Sequence, residues 1–243
     1  MSRIDLSLAT EGCSRCPIRH RAVCASCEGE ELDRLAAMKT YRSWKAGETI
    51  VMEGEDLPFV GSLVTGCATL TRSLEDGRVQ TVGLLMPSDF IGRPGRRAAL
   101  CDVVAATDVT LCLFRRDAFE ALLRDTPHVA GRLLAMSLDE LDAARDWMVL
   151  LGRKTAREKV ATLLAIILRR AASDAAPMRV ELPLSRDAMA SYLGLTIETV
   201  SRQITALRKD GVIRLVGTRG LECGDMAALL TEAGGGVNGA IPG

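Results

Sequence analysis

The hydrophobic pattern changes period along the chain. Between Glu30 and Met38 the apolar residues Leu32, Leu35 and Met38 recur at helical spacing, which predicts a short amphipathic helix. From Tyr41 to about Phe114 short alternating runs follow: Thr49-Ile50-Val51-Met52, Val60-Gly61-Ser62-Leu63-Val64, Ala68-Thr69-Leu70-Thr71 and Val79-Gln80-Thr81-Val82. Turn signals separate them at Lys45-Ala46-Gly47, Glu53-Gly54-Glu55, Thr65-Gly66 and Glu75-Asp76-Gly77-Arg78. Evenly spaced short strands with glycine turns predict an antiparallel sandwich or jelly roll.

The period lengthens again at Thr126-Pro127, since proline suits the first turn of a helix. Leu134, Leu141 and Met148 then recur every seven residues, the pattern of a helix that meets a second subunit along one stripe. Its companion seam positions are either Ser137, Ala144 and Leu151 or Leu138 and Arg145; a helix packed only on its own domain is the alternative. A further helix restarts at Thr155, with Glu158 three residues on completing a capping box, and Val160, Leu163, Leu164, Ile167 and Leu168 line one face. Ser173 to Met178 reads as a linker, Val180 to Leu182 as a small strand, and Gly234-Gly235-Gly236 as the opening of a short tail.

Leu184 to Arg202 carries a helix-turn-helix pattern. Ser185 caps the first helix, small Ala190 lets a second helix cross closely, Gly194 supplies the turn, and Thr196 caps the next helix. On that helix Ile197, Val200, Ile204 and Leu207 face inward. Glu198, Ser201 and Arg202 share an exposed face near its N-terminus, where a recognition helix meets base edges in the major groove. Arginine bridges O6 and N7 of guanine, and a glutamate accepts from the amino group of cytosine. Val212 to Leu221 reads as a two-stranded wing with basic residues at its tip.

With 243 residues the chain is long enough for two modest domains. Lys plus Arg equals Asp plus Glu at 31 each, so no whole-chain basicity advertises nucleic acid. The distribution changes that picture. Six basic residues against one acid lie between Gly152 and Arg170, and five against two between Ile197 and Arg219, so the C-terminal third is the part suited to phosphates. Two histidines, His20 and His128, are too few for a His-rich zinc hydrolase, and no substrate-pocket chemistry appears.

Four of the eight cysteines, Cys13, Cys16, Cys24 and Cys27, form C-x2-C-x7-C-x2-C near the start of the chain. Thiolates are soft ligands, so a metal or iron–sulfur site is the leading reading, with surface thiols or disulfides as the alternative. The x7 gap is shorter than the roughly fifteen to twenty residues of a zinc ribbon, and the run lacks the tight ferredoxin spacing. Met1 to Thr10 has no apolar core of signal-peptide length, and no apolar run approaches the roughly eighteen residues of a membrane span. The expectation is a cytoplasmic chain with reduced cysteines.

From these cysteines to the wing, the chain resembles the CRP/FNR superfamily of dimeric bacterial regulators, more narrowly its oxygen-sensing FNR branch and the FnrL-type proteins within it. Gly194-Leu195-Thr196-Ile197-Glu198-Thr199-Val200-Ser201-Arg202 corresponds to the branch's E-x-x-S-R recognition helix, and Arg153-Lys154-Thr155-Ala156-Arg157-Glu158-Lys159 matches its hinge. The resemblance implies an α+β chain and no enzyme: a cysteine-rich segment over 1–30, a β-roll (jelly roll) sensor over 31–126, a dimerisation helix over 127–154, a winged helix-turn-helix over 155–233 and a flexible tail over 234–243. It implies a homodimer on two-fold symmetric double-stranded DNA with TTGAT-type half-sites read by Glu198, Ser201 and Arg202, and RNA polymerase as a partner.

The resemblance also implies a [4Fe–4S] cluster held by three N-terminal cysteines and one from the roll, lost in oxygen together with the dimer. The branch's spacing is C-x2-C-x5-C. Cys13, Cys16 and Cys24 come nearest with x7, and Cys27 as third ligand needs x10. Cys112, in Val109-Thr110-Leu111-Cys112, aligns with the internal ligand; Cys101 and Cys67 align less well, and Cys223 reads as a lone thiol. Cyclic-nucleotide members carry a glutamate for the ribose, whereas Asp89-Phe90-Ile91-Gly92-Arg93-Pro94-Gly95-Arg96-Arg97 has arginine in its place. Asp139, Glu140, Asp142 and Asp146 flank the dimer seam and oppose pairing, so a small shift in packing would switch a marginal dimer. The alternative is a cluster-free CRP-like regulator with structural zinc or another small-molecule effector.

Overall fold

Eight strands build the first half of the chain: β1 (Thr40–Trp44), β2 (Thr49–Val51), β3 (Phe59–Thr65), β4 (Ala68–Ser73), β5 (Val79–Leu85), β6 (Phe90–Ile91), β7 (Asp102–Ala105) and β8 (Val109–Arg115). In this computed structural model, which describes residues 12–171 and 177–235, they form two antiparallel four-stranded sheets of order β1-β8-β3-β6 and β2-β7-β4-β5. Met1 to Thr10, most of the linker from Ser173 and the tail beyond Gly235 lie outside the described residues. The turn at Gly66 shows why glycine is needed: φ is +87°, and a Cβ there would stand 2.1 Å from the Asp108 carbonyl oxygen.

The alternation within β8 explains the layers. Leu111 and Leu113 point between the sheets, against Trp44, Leu63 and Val103, while Cys112 and Phe114 point to the outer face of the first sheet. That outer face is also covered, by α1 (Gly29–Met38), α2 (Arg116–Asp125), the start of α3 (Pro127–Arg153) and the cysteine segment. Both faces of β8 are therefore buried, and the strand is almost continuously apolar. The chain divides into two compact units, one ending at Met136 and the other beginning at Ser137, and α3 runs from the first into the second.

In the second unit α4 (Ala156–Ala171) starts at the expected capping box: Thr155 N–H donates to the Glu158 carboxylate at 2.7 Å, and Glu158 N–H donates to Thr155 Oγ1 at 3.3 Å. The expected apolar stripe is buried, but so are Ala161, Thr162, Ala165 and Ile166, because the helix-turn-helix, a small sheet and α7 (Met226–Glu232) enclose α4. The helix-turn-helix consists of α5 (Arg186–Leu193) and α6 (Ile197–Lys209). The wing is three-stranded rather than two-stranded: β10 (Arg214–Val216) and β11 (Gly220–Cys223) are joined by β9 (Met178–Glu181), with Val180 opposite Leu221.

Candidate functional site

Each C-x2-C pair is closed into a single helical turn. Cys16 N–H donates to the Cys13 carbonyl at 3.3 Å and Cys27 N–H to the Cys24 carbonyl at 3.0 Å, so both members of each pair are held three residues apart on a tight bend. The Arg19 guanidinium, within the x7 loop, donates to the carbonyls of Cys24 (2.6 Å) and Cys27 and folds the loop back over its own end. Ile18, Ala22, Val23 and Cys27 form its buried underside. From α3, Arg132 donates to the Arg21 carbonyl at 2.6 Å, and Leu133 and Met136 pack against the same apolar cluster.

Cys112 meets this segment from below. Burial pushes its thiol up to about 12, and the neighbouring Cys16, Cys13 and Cys24 thiols push the same way. Tyr41, opposite Cys112 on β1, is raised by burial and then by Cys112, Cys16, Cys13 and Cys24. Burial likewise raises Cys24 against the pull of the Arg19 cation. Cys13, Cys16, Cys24 and Cys112 thus share one neighbourhood. Cys27 lies fully buried beside them, its thiol raised to about 11 by burial first and Cys24 next. Cys67 at the start of β4, Cys101 before β7 and Cys223 in β11 belong to other parts of the fold.

Among the described residues no three His, Cys, Asp or Glu side chains are grouped as ligands of one metal ion. Tetrahedral zinc draws four ligands to about 2.0–2.3 Å from a single point. A [4Fe–4S] cube places each thiolate on its own iron and so spreads its ligands wider. Cys112 is buried and Cys13, Cys16 and Cys24 are half-buried near it, so the set offers four soft sulfur donors, the donor chemistry that either group requires. Two residues of the centre carry no signal in the sequence: Tyr41 and Ser62, which flank Cys112 by strand register. Arg19 carries one, as a cation inside the cysteine loop.

In the second unit the caps and turn of the helix-turn-helix form where the sequence predicts them. Ser185 Oγ accepts from Ala188 N–H at 3.1 Å, Gly194 sits at φ 60°, ψ 43°, and Thr196 Oγ1 accepts from Thr199 N–H at 3.2 Å. Val200, Ile204 and Leu207 are buried as expected. Ile197 is not: it is 43 % exposed, because it opens α6 at the edge of the apolar stripe. Glu198 and Arg202 are exposed and Ser201 is half-buried. The backbone N–H at the start of α6, then the Thr196 hydroxyl, holds the Glu198 carboxyl below its usual range, keeping it a charged acceptor. The indole of Trp147 on α3 stacks on Tyr192 of α5, ring centres 4.1 Å apart, which ties the long helix to this motif.

Much of the basic run is used inside the unit rather than offered to phosphates. Arg157 donates to Glu232 at 2.5 Å and Asp210 at 2.6 Å, Lys154 donates to Thr162 Oγ1 and the Ala233 carbonyl, buried Lys159 reaches the Leu193 carbonyl, and Arg214 pairs with Glu222. Arg202, Arg208, Lys209 and Arg219 are exposed. On α3, Leu134, Leu141 and Met148 are 61 %, 45 % and 74 % exposed, and Leu138 is bare beside them. No helix among the described residues is long and apolar enough to cross a membrane.

A β-roll followed by a long helix and a winged helix-turn-helix defines a DNA-binding transcription regulator rather than an enzyme. Residues 41–126 match the cyclic nucleotide-binding domain and residues 158–232 the Crp-like helix-turn-helix domain, and the chain belongs to the CRP/FNR family. It is 58 % identical over 235 residues to the transcriptional activator protein FnrL of Cereibacter sphaeroides, covering 95 % of each chain. A probable transcriptional activator of Rhizobium leguminosarum bv. viciae is 42 % identical over 218 residues, covering 89 % of this chain and 91 % of that one. The structure of FixK2 from Bradyrhizobium japonicum superposes with a TM-score of 0.74 at 35 % identity, covering 79 % of this chain and 96 % of FixK2.

Proposed function

We propose that the chain is an oxygen-responsive regulator that binds TTGAT-type palindromic sites as a homodimer under low oxygen and releases them on oxidation. Cys13, Cys16, Cys24 and Cys112 hold a [4Fe–4S] cluster, and Cys27 is a core thiol beside it. The observation that carries this reading is the convergence of Cys112, from the roll, with three thiols of the N-terminal segment. Bound there, the cluster supplies an oxygen-labile crosslink between two distant stretches of chain. The rest of the mechanism belongs to the chain's own residues. Arg19 holds the loop, and Arg132, Leu133 and Met136 carry the segment's position to α3. Leu134, Leu141 and Met148 form the seam with the second subunit, while Asp139, Glu140, Asp142 and Asp146 leave that seam only marginally favourable. Glu198, Ser201 and Arg202 read base edges. In this division 1–30 is the cluster segment, 31–126 the sensor, 127–154 the dimerisation helix and 155–233 the DNA-binding domain. The regulator acts in the cytoplasm with RNA polymerase as its partner.

Anaerobically purified protein is expected to show broad iron–sulfur absorption that bleaches in air, together with a fall in dimer fraction and operator affinity. Cys112→Ala abolishes that absorption, and Cys101→Ala retains it. Air exposure that leaves dimer fraction and operator affinity unchanged overturns the oxygen response; a colourless protein with one tightly bound zinc replaces the cluster with a structural ion.

A further inference from the structure

Ser62 sits on β3 opposite Cys112 of β8 on one side and Phe90 of β6 on the other. Residues paired across antiparallel strands point to the same face, so its hydroxyl shares the outer face with the Cys112 thiol. Phe90 packs in the cluster that contains Cys112, Cys16 and Cys24, which identifies that face as the one under the cysteine segment. Ser62 is 3 % exposed, and its Oγ has no hydrogen-bond partner among the described residues. A buried hydroxyl without a partner destabilises a fold, and alanine would serve better here if packing were the only demand. Something must make use of that hydroxyl, and the adjacent sulfur is the candidate. A neutral thiol is a weak acceptor, whereas a thiolate is a strong one.

We propose that Ser62 is a positioning and tuning residue of the cysteine centre, its hydroxyl donating a hydrogen bond to the Cys112 sulfur when that sulfur is an iron-bound thiolate. The inference rests on the cluster reading above. A donor on a ligating sulfur withdraws electron density from it and stabilises the more reduced, more negative state, so the reduction potential rises. The same bond fixes the Cys112 rotamer. Ser62 thereby contributes to how readily the centre is oxidised while touching neither DNA nor the dimer seam.

The test compares wild type, Ser62→Ala and Ser62→Thr, all reconstituted anaerobically. Three quantities are measured: the reduction potential by spectroelectrochemical titration, the cysteinyl Fe–S stretch by resonance Raman in H2O and D2O, and the melting temperature of the cluster-free proteins. Ser62→Ala is expected to lower the potential and remove the deuterium shift of the stretch, and Ser62→Thr to restore both. Cluster-free Ser62→Ala should melt no lower than cluster-free wild type, since the lost hydroxyl had no partner there. Failure of Ser62→Ala to retain iron, with Ser62→Thr retaining it and the cluster-free melts equal, supports the proposal equally. A potential and deuterium shift unchanged in Ser62→Ala overturn it while leaving the cluster in place. A wild-type protein that takes up no iron and sulfide overturns the cluster reading and this inference with it.

Discussion

At the scale of the residue, the trio proposed to read DNA, Glu198, Ser201 and Arg202, depends on ionised and forked groups at the start of one helix. Arg202 is exposed and only weakly engaged, its guanidinium 3.5 Å from Thr199 Oγ1, so little holds it back from a base. Arg202→Ala should cost about 1–3 kcal/mol of specific binding and relax preference at one base pair in each half-site. An operator preference unchanged in a competition assay removes Arg202 from the reading face. The exposure of Glu198 and Arg202 was legible because their spacing alone puts them opposite the buried Val200, Ile204 and Leu207. The cysteine centre was legible only in part. The thiols of the N-terminal run announce themselves by spacing, and Cys112 by family resemblance, but Tyr41 and Ser62 become its neighbours through the register of β1, β8 and β3. Register is fixed by long-range pairing, and no local pattern of Ser62 or Tyr41 records it.

At the scale of the element, the start of α4 shows how a local signal and a tertiary one combine. Thr155 and Glu158 advertise a helix start in sequence, and the structure forms that box. It was not legible that Arg157, in the helix's first turn, would hold α7 through Glu232 and the end of α6 through Asp210. Nor was α7 itself, whose seven residues are too short to show a period and depend on the Asp225 cap. β9 was read as a small strand, yet its place as the wing's third strand comes from pairing with β11. These contacts have a pH signature. The Thr155 backbone N–H, then its hydroxyl, lowers the Glu158 carboxyl, and Arg157 lowers that of Glu232. Carboxyls depressed on folding contribute stability that is complete above the ordinary value of about 4.3 and is lost as pH falls through the lower folded values. The urea midpoint of the wild type should therefore fall more steeply between about pH 5 and 3 than that of Glu158→Gln. Parallel curves for the two proteins assign the box no share in acid stability. The turn before α6 gives a second measure: at φ 60° a Cβ on Gly194 meets only Leu151 Cδ2 at 3.9 Å, so Gly194→Ala should cost about 1 kcal/mol from backbone conformation alone. A urea midpoint unchanged by that substitution argues that the turn relaxes.

At the scale of the whole molecule, α3 connects the two units and presents different faces to different neighbours. Trp147 and Leu150 are buried within the second unit, whereas Leu134, Leu138, Leu141 and Met148 are bare. Apolar residues on more than one face are the reason the sequence left the seam register open between Leu138 with Arg145 and Ser137 with Ala144 and Leu151: a periodicity argument cannot tell which stripe a helix turns toward its own domain. A second copy that covers Leu141 removes the remaining exposed part of one leucine from water on each subunit, worth about 1 kcal/mol per side chain at the usual value for leucine burial. Two-fold symmetry doubles it. Leu141→Ala should therefore weaken the dimer by about 2 kcal/mol, or roughly thirtyfold in dissociation constant by sedimentation of the cluster-loaded protein. The acidic flank makes an independent contribution. Asp142 is partly offset by Arg145 at 2.8 Å, but Asp139 and Asp146 have no ion-pair partner among the described residues, so raising salt should strengthen the dimer by screening like charges across the seam. Salt that weakens it instead would mean that opposite charges dominate the interface and that the acidic flank does not set the switching threshold. A dimer equally stable with Leu141→Ala and indifferent to salt would place the contact on another surface, and α3 would then carry the sensor's state to the helix-turn-helix through its contacts within the second unit, the Trp147–Tyr192 stack among them.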